Sequence, residues 1–134
     1  MSDLLFVYGT LRRGGGHELE KMFDDVRFVQ EAEFFGEMFL VDYFPGVIDP
    51  VSAGTDIAGE IYEFRPDGKS LRKLDEFEDY RPFDPDAGVY VRARRNVRVK
   101  SGEIAEVWIY IYNQPVAGFR KIESGDFVRF LKES

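Results

Sequence analysis

Two stretches of this chain alternate as strands do and yet are apolar on both faces. In "LLFVYG", residues 4–9, no solvent side exists; between Val26 and Val41, Phe34, Met38 and Leu40 fall on one side and Phe35, Phe39 and Val41 on the other. A strand buried on both faces must be covered twice, so both read as strands with little solvent exposure. Helical cover is scarce. Only "HELEKMF", with Leu19, Met22 and Phe23 at helical spacing, and "LRKLDEFEDY", residues 71–80, read as helices. Six or so strands served by two short helices do not alternate as β-α-β, which argues against Rossmann-type layering; the sheet has to curve onto itself. The expectation is an α+β fold: a small mixed β-barrel-like sheet with two main short helices, built by residues 1–134 as a single domain.

The other segments fit that frame. "IAGEIYEF", residues 57–64, is a further strand, and "VYVRARRNVRV", "KSGE" and "IAEVWIYIYN" form a hairpin. "YFPGVIDP", "SAGTD" and "RPFDPDAG" supply turns, Asp67 or Ser70 caps the second helix, and Gly36 marks a bulge or a close crossing. The tail "IESGDFVRF" reads as a turn and a brief last strand. With 134 residues, 44% of them hydrophobic, the chain can fill one core, and 7 Tyr, 13 Phe and 1 Trp supply its bulk.

Charge and composition narrow the function. A net charge of -7 opposes phosphate backbones at long range, so nucleic acid is not an expected partner. In "YVRARRNVRVK" a strand puts Arg92, Arg94 and Arg98 on one face and Arg95 on the other; this reads as a solvated sheet face paired with acids, with an anion or RNA contact as the lesser reading. With no cysteine there is neither a disulfide framework nor a thiol nucleophile, and one histidine leaves little with which to hold a metal. No stretch approaches the roughly 18 apolar residues of a membrane span, and "MSDLLFVYG" resembles no secretory signal, so a cytoplasmic location is expected and no membrane partner. A monomer is the default for a domain of this size; a homodimer is compatible with it.

One carboxylate stands out. In the second helix, positions i, i+3, i+4 and i+7 share a side, so Leu71 and Leu74 lead either to Phe77 or to Glu78. Glu76, Lys73 and Asp79 lie off that stripe, and Asp75 flanks it. A carboxylate drawn partly out of water has its pKa raised toward neutrality, where it serves proton transfer. The alternative is a frayed helix end that turns Glu78 into water. A second feature is "VYGTLRRGGG", residues 7–16, where a strand runs straight into glycine-rich backbone. Successive N–H groups at Gly9, Thr10, Leu11 and Arg12 can converge on an anion or carboxylate, while the absence of GK[ST] and of G-x-G-x-x-G argues against nucleotide binding.

"VYGTLRRGGGHELE", "AGEIYEF", "LDEFEDY" followed by "YVRARRNVRV", and "WIYIYN" before "IESGDF" together resemble the gamma-glutamylcyclotransferase-like proteins, including the AIG2-like and gamma-glutamylamine cyclotransferase branches. The resemblance runs from Val7 to Phe127. It implies a small β-barrel with flanking helices and a cavity closed by the loop after the first strand, with Tyr8, Gly9, Thr10 and Leu11 holding substrate and Glu78, the last acid of the "LDxxE" motif, as general acid/base. It further implies release of 5-oxoproline and a free amine from a γ-glutamyl amine or γ-glutamyl amino acid, a transferase or lyase chemistry needing no cofactor. Tyr112 resembles the family's late tyrosine and is expected to line the pocket; Trp108 and Tyr110 read as core. Arg12 either attracts a substrate carboxylate at the mouth or is an exposed loop arginine. Glu60 is either a second pocket acid or a partner of the arginine-bearing strand, and His17 either makes a hydrogen bond or lies exposed at the start of the first helix. Relatives often have glycine after the catalytic glutamate, where this chain has Asp79. Selectivity for the leaving amine is expected in "VDYFPGVIDP" and "RPFDPDAG". The competing reading is a module that retains fold and pocket, and binds a small metabolite or another protein without turnover.

Overall fold

The computed structural model describes residues 3–51, 53–81 and 83–133; the turns "SAGTD" and "RPFDPDAG" each contain one residue, 52 and 82, outside that set. In chain order the elements are β1 (Asp3–Val7), α1 (Leu19–Met22), β2 (Arg27–Val41), β3 (Phe44–Ile48), β4 (Thr55–Phe64), α2 (Lys69–Phe77), a 3-10 turn (Pro85–Ala87), β5 (Tyr90–Val99), β6 (Ile104–Tyr112), β7 (Arg120–Lys121) and α3 (Phe127–Glu133).

The sheet runs β3-β2-β4-β1-β6-β5, and β5 returns to β2 through Ala32 opposite Val99 and Glu33 opposite Arg98. That last pairing closes β2, β4, β1, β6 and β5 into a barrel and removes two exposed edges. Among the described residues only β1 and β6 run parallel, Leu5 beside Trp108 and Phe6 beside Ile109. The far half of β2 leaves the barrel and takes β3 on one side and β7 on the other. Where β2 and β3 cross, Gly36 is required: a Cβ there would stand 2.7 Å from the Ile48 carbonyl oxygen and 2.6 Å from the Phe34 ring.

β1 is covered on both faces, as its composition demands. Phe6 joins an inner cluster with Phe34, Met38, Ile57, Val107 and Ile109. Leu5 and Val7 point the other way, into an outer cluster with Leu19, Tyr62, Leu71, Leu74 and Tyr110, where α1 and α2 supply the cover.

The structure departs from the sequence pattern at three places. The tail ends in a helix: Asp126 is the N-cap of α3, accepting the Arg129 N–H at 3.1 Å, and Phe127 and Phe130 stack one helical turn apart. Phe35 is 57% exposed, on the face of β2 opposite the buried Phe34, with its ring beside Gly54. α2 starts two residues earlier and stops three residues sooner than its apolar pattern suggested, with Asp67 accepting the Lys69 N–H ahead of it.

Candidate active site

A cavity of about 370 Å³ opens beyond the ends of β1 and β6, within the size range of small-molecule sites. Tyr8, Gly9, Thr10 and Leu11 form one wall and Glu78 another.

The termination of α2 puts Glu78 there. Its N–H bonds to the Leu74 carbonyl at 2.9 Å, so position 78 continues the helical stripe of Leu71 and Leu74. The next residue ends the helix: Asp79 has φ of 55°, its N–H reaches the Glu76 carbonyl at 3.2 Å, and the Tyr80 N–H reaches Asp75 at 2.9 Å. This is the Schellman arrangement, whose left-handed position favours glycine and tolerates aspartate. Asp79 turns its carboxylate away, to Arg81 at 3.0 Å and the Val89 N–H at 3.3 Å. Phe77, the other candidate for the stripe, is 55% exposed at the mouth, near the exposed His17 ring.

Glu78 has no hydrogen-bond donor or ion-pair partner among the described residues. Three phenols lie near enough for its charge to raise their pKa values, after burial as the larger cause: Tyr8, Tyr90 and Tyr110. None of them donates to it. Tyr8 donates to the Tyr110 carbonyl at 2.5 Å, Tyr90 to the Pro45 carbonyl at 2.7 Å, and Tyr110 to Asp75 at 2.7 Å. Burial without compensation pushes the Glu78 carboxyl up to about 7. A carboxyl that titrates near neutrality can both take and return a proton.

The glycine-rich loop is held from behind. Glu60, 5% exposed, accepts the Arg13 N–H at 3.0 Å and the Tyr62 hydroxyl at 2.9 Å; it neither lines the cavity nor pairs with the arginine-bearing strand. The Arg12 N–H closes a turn on Gly9 at 3.1 Å, which removes it from the set of free donors, while the N–H groups of Gly9, Thr10 and Leu11 have no acceptor among the described residues. Gly9 cannot carry a side chain, because a Cβ would stand 2.8 Å from Pro45 on the opposite wall.

Arg12 and Tyr112 lie off this cavity. The Arg12 guanidinium pairs with Asp126 at 2.9 Å and lines a separate hollow with Ala32, Gly59 and Arg98. Tyr112 shares a strand face with Tyr110 but sits one pleat farther along, where it packs on Gly46 and the Tyr90 ring. Tyr110 takes the lining position because the parallel register brings it beside the end of β1, a relation between residues about a hundred positions apart that no local pattern carries. Of the two loops expected to set selectivity, the first supplies Tyr43, Phe44 and Pro45; from residues 81–88 no described residue reaches the wall.

The arginine-bearing strand is committed to acids: Arg92 to Asp75, Arg95 to Asp49, and Arg98 to Glu33 and Asp56, with Arg94 over the Trp108 ring. No helix among the described residues is long and apolar enough to cross a membrane.

The family profile described as "Gamma-glutamyl cyclotransferase, AIG2-like" matches residues 5–129. The chain is similar to the gamma-glutamylcyclotransferase family protein YtfP of Escherichia coli, with 29% identity over 131 residues, 92% of this chain and 95% of that protein. Among solved structures it is similar to an AIG2-like protein from Mus musculus, with a TM-score of 0.63 and 27% identity over 82% of this chain and 76% of that one. It is also similar to YkqA from Bacillus subtilis, with a TM-score of 0.72 and 27% identity; there all of this chain is covered but only 44% of the longer protein.

Proposed function

The chain belongs to the gamma-glutamyl cyclotransferase, AIG2-like family, and from that premise we propose that it releases 5-oxoproline and a free amine from a γ-glutamyl amine or γ-glutamyl amino acid, with Glu78 as general base and then general acid. The observation that carries this reading is the unpartnered Glu78 carboxyl, poised near pH 7, in the same cavity as the free amides of Gly9, Thr10 and Leu11.

In this mechanism the substrate's α-carboxylate, or the reacting carbonyl oxygen, rests on those amides. Glu78 takes a proton from the α-ammonium, and the freed amine attacks its own γ-carbonyl carbon. A C–N bond forms, the carbonyl electron pair moves to oxygen, and aligned N–H donors favour that developing charge over the ground state. Collapse re-forms the carbonyl and breaks the original amide bond while Glu78 returns its proton to the departing nitrogen. The attacking nitrogen loses two protons in becoming a ring amide and the leaving nitrogen gains two in becoming an ammonium, so the reaction balances without water or redox chemistry. Because nucleophile and electrophile belong to one molecule, holding the chain folded supplies much of the rate.

The test is 5-oxoproline release from a panel of γ-glutamyl dipeptides and γ-glutamyl amines. Product is expected from the parent protein, and E78Q is expected to lower kcat by about 10²–10⁴-fold, the range for losing a general acid/base. Unaltered turnover in E78Q would remove Glu78 from the mechanism. Tight binding without product, unchanged in E78Q, would establish a binding module instead.

A further inference from the structure

Resting on that cyclotransferase reading, we infer that Glu60 is a positioning residue: from outside the cavity it fixes where the amides of Gly9, Thr10 and Leu11 stand relative to Glu78. The destination of each backbone bond in the loop carries this.

Within the loop the carbonyls are tied and the amides are left over. The Gly9 carbonyl accepts the Arg12 N–H at 3.1 Å, that of Thr10 the His17 N–H at 2.9 Å, that of Leu11 the Leu19 N–H at 3.0 Å and that of Arg12 the Gly15 N–H at 2.9 Å. In a trans peptide the C=O and the following N–H point in opposite directions. Tying the Gly9 and Thr10 carbonyls therefore turns the Thr10 and Leu11 N–H groups away from those bonds, and residues 8–11 line the cavity. Gly15 closes the unit from behind, so near that a Cβ would stand 2.6 Å from the Gly9 and Thr10 carbonyl oxygens.

All of these bonds stay within residues 9–19. They give the loop its shape, and none would break if the whole unit tilted. Its place comes from the Arg13 N–H, which donates to Glu60 at 3.0 Å; among the described residues Glu60 is the one barrel side chain bonded to the backbone of residues 9–16. Glu60 is itself held. It lies on β4 opposite Val7, the last residue of β1, and the same oxygen accepts the hydroxyl of the fully buried Tyr62 at 2.9 Å. The other tie, Arg12 on Asp126, ends on the N-cap of α3 and not on the barrel.

Glu60 is also a costly residue for this position. It has no lysine or arginine as an ion-pair partner among the described residues; the Arg13 guanidinium goes to Glu20 and lies 3.8 Å from the Phe28 ring centroid. A buried carboxylate without a cation is less stable than an apolar side chain of similar size, and is retained where it does what an apolar one cannot. Here it accepts the N–H that places the loop.

The experiment compares E60L and E60A, which remove the acceptor, with E60Q, which keeps an oxygen able to accept both bonds. With the most active compound of the γ-glutamyl panel, E60L and E60A are expected to lower kcat/KM about 100-fold and E60Q to stay within about threefold of the parent, the scale of effect for amides moved about 1 Å off the reacting oxygen. The rise of kcat/KM through about pH 7 should persist in every variant, because Glu78 is untouched. Amide exchange and 15N–1H spectra, recorded without substrate, give the second readout. Arg13 should exchange about tenfold faster in E60L and E60A, and the Gly9, Thr10 and Leu11 signals should shift, while β1 and β4 keep parental protection. Parental kcat/KM in E60L or E60A overturns the inference. E60Q as slow as E60L overturns it too, since charge and not the bond would then be what matters. No 5-oxoproline from the parent overturns the cyclotransferase reading alone; exchange needs no turnover, and parental Arg13 exchange in E60L and E60A overturns the placing role of Glu60.

Discussion

Two acids sit one helical turn apart on the inner stripe of α2, and their surroundings are opposite. Asp75 is 7% exposed and fully matched: Arg92 grips both of its oxygens at 2.7 and 3.0 Å, and the Tyr110 hydroxyl adds a third bond at 2.7 Å. Glu78, one turn later, has three phenols near it and a bond from none. A matched buried acid ties elements together; here it joins α2 to β5 and β6. An unmatched one destabilises the fold and is retained where proton transfer uses it. The matched acid also takes the hydroxyl of Tyr110, one of the phenols near Glu78.

The sharpest way to break this contrast is to neutralise each acid in turn. E78Q keeps the shape and removes the base, so the expected effect is a fall in kcat of about 10²–10⁴-fold with far-UV circular dichroism unchanged. D75N should reverse the pattern. Removing one partner of a buried, hydrogen-bonded pair costs about 3–5 kcal/mol, read as a lower urea midpoint, and any loss of activity should follow from the helix end shifting. A D75N protein as stable as the parent would show that the pair contributes nothing.

pH tests Glu78 next. The Glu78 carboxyl rises from its usual 4.5 to about 7 on folding, so between those values the folded protein holds a proton that the unfolded chain has shed. Stability therefore falls as pH rises through this window, by up to about 3 kcal/mol once complete. E78Q should accordingly be more stable than the parent at pH 8 and equal to it near pH 4, measured by denaturant titration at both. The kcat/KM profile should climb through about pH 7 as the base form appears; a flat profile from pH 6 to 8 would contradict the assignment.

The smallest effect is expected at the helix stop. D79G relieves a left-handed non-glycine residue but gives up the bonds to Arg81 and Val89, so a net change within about 1 kcal/mol and near-parental activity are anticipated. D79V, which cannot adopt that backbone cheaply, should cost more than D79G, and its loss should be seen in activity as Glu78 is displaced.

Part of what depends on spacing within one element was legible in the sequence. The 3.6-residue period narrowed the end of the leucine stripe to Phe77 or Glu78, the apolar character of both faces of β1 demanded double cover, and the glycine-rich stretch after β1 drew attention to the segment whose residues 8–11 line the cavity. Covalent geometry fixes those relations before the chain folds. The α3 helix was not legible in this way: "IESGDFVRF" reads as a turn and a brief strand, and the Asp126 cap ahead of Phe127 and Phe130 is seen only in the folded chain. Tertiary structure alone decided which tyrosines surround Glu78, that Tyr110 and not Tyr112 lines the cavity, that Arg12 turns to Asp126, and that Asp75 is matched by Arg92. Those relations are set by strand register and by packing between segments distant along the chain, where a shift of two residues moves a side chain along the same face by about 7 Å and changes its neighbours without altering any local pattern.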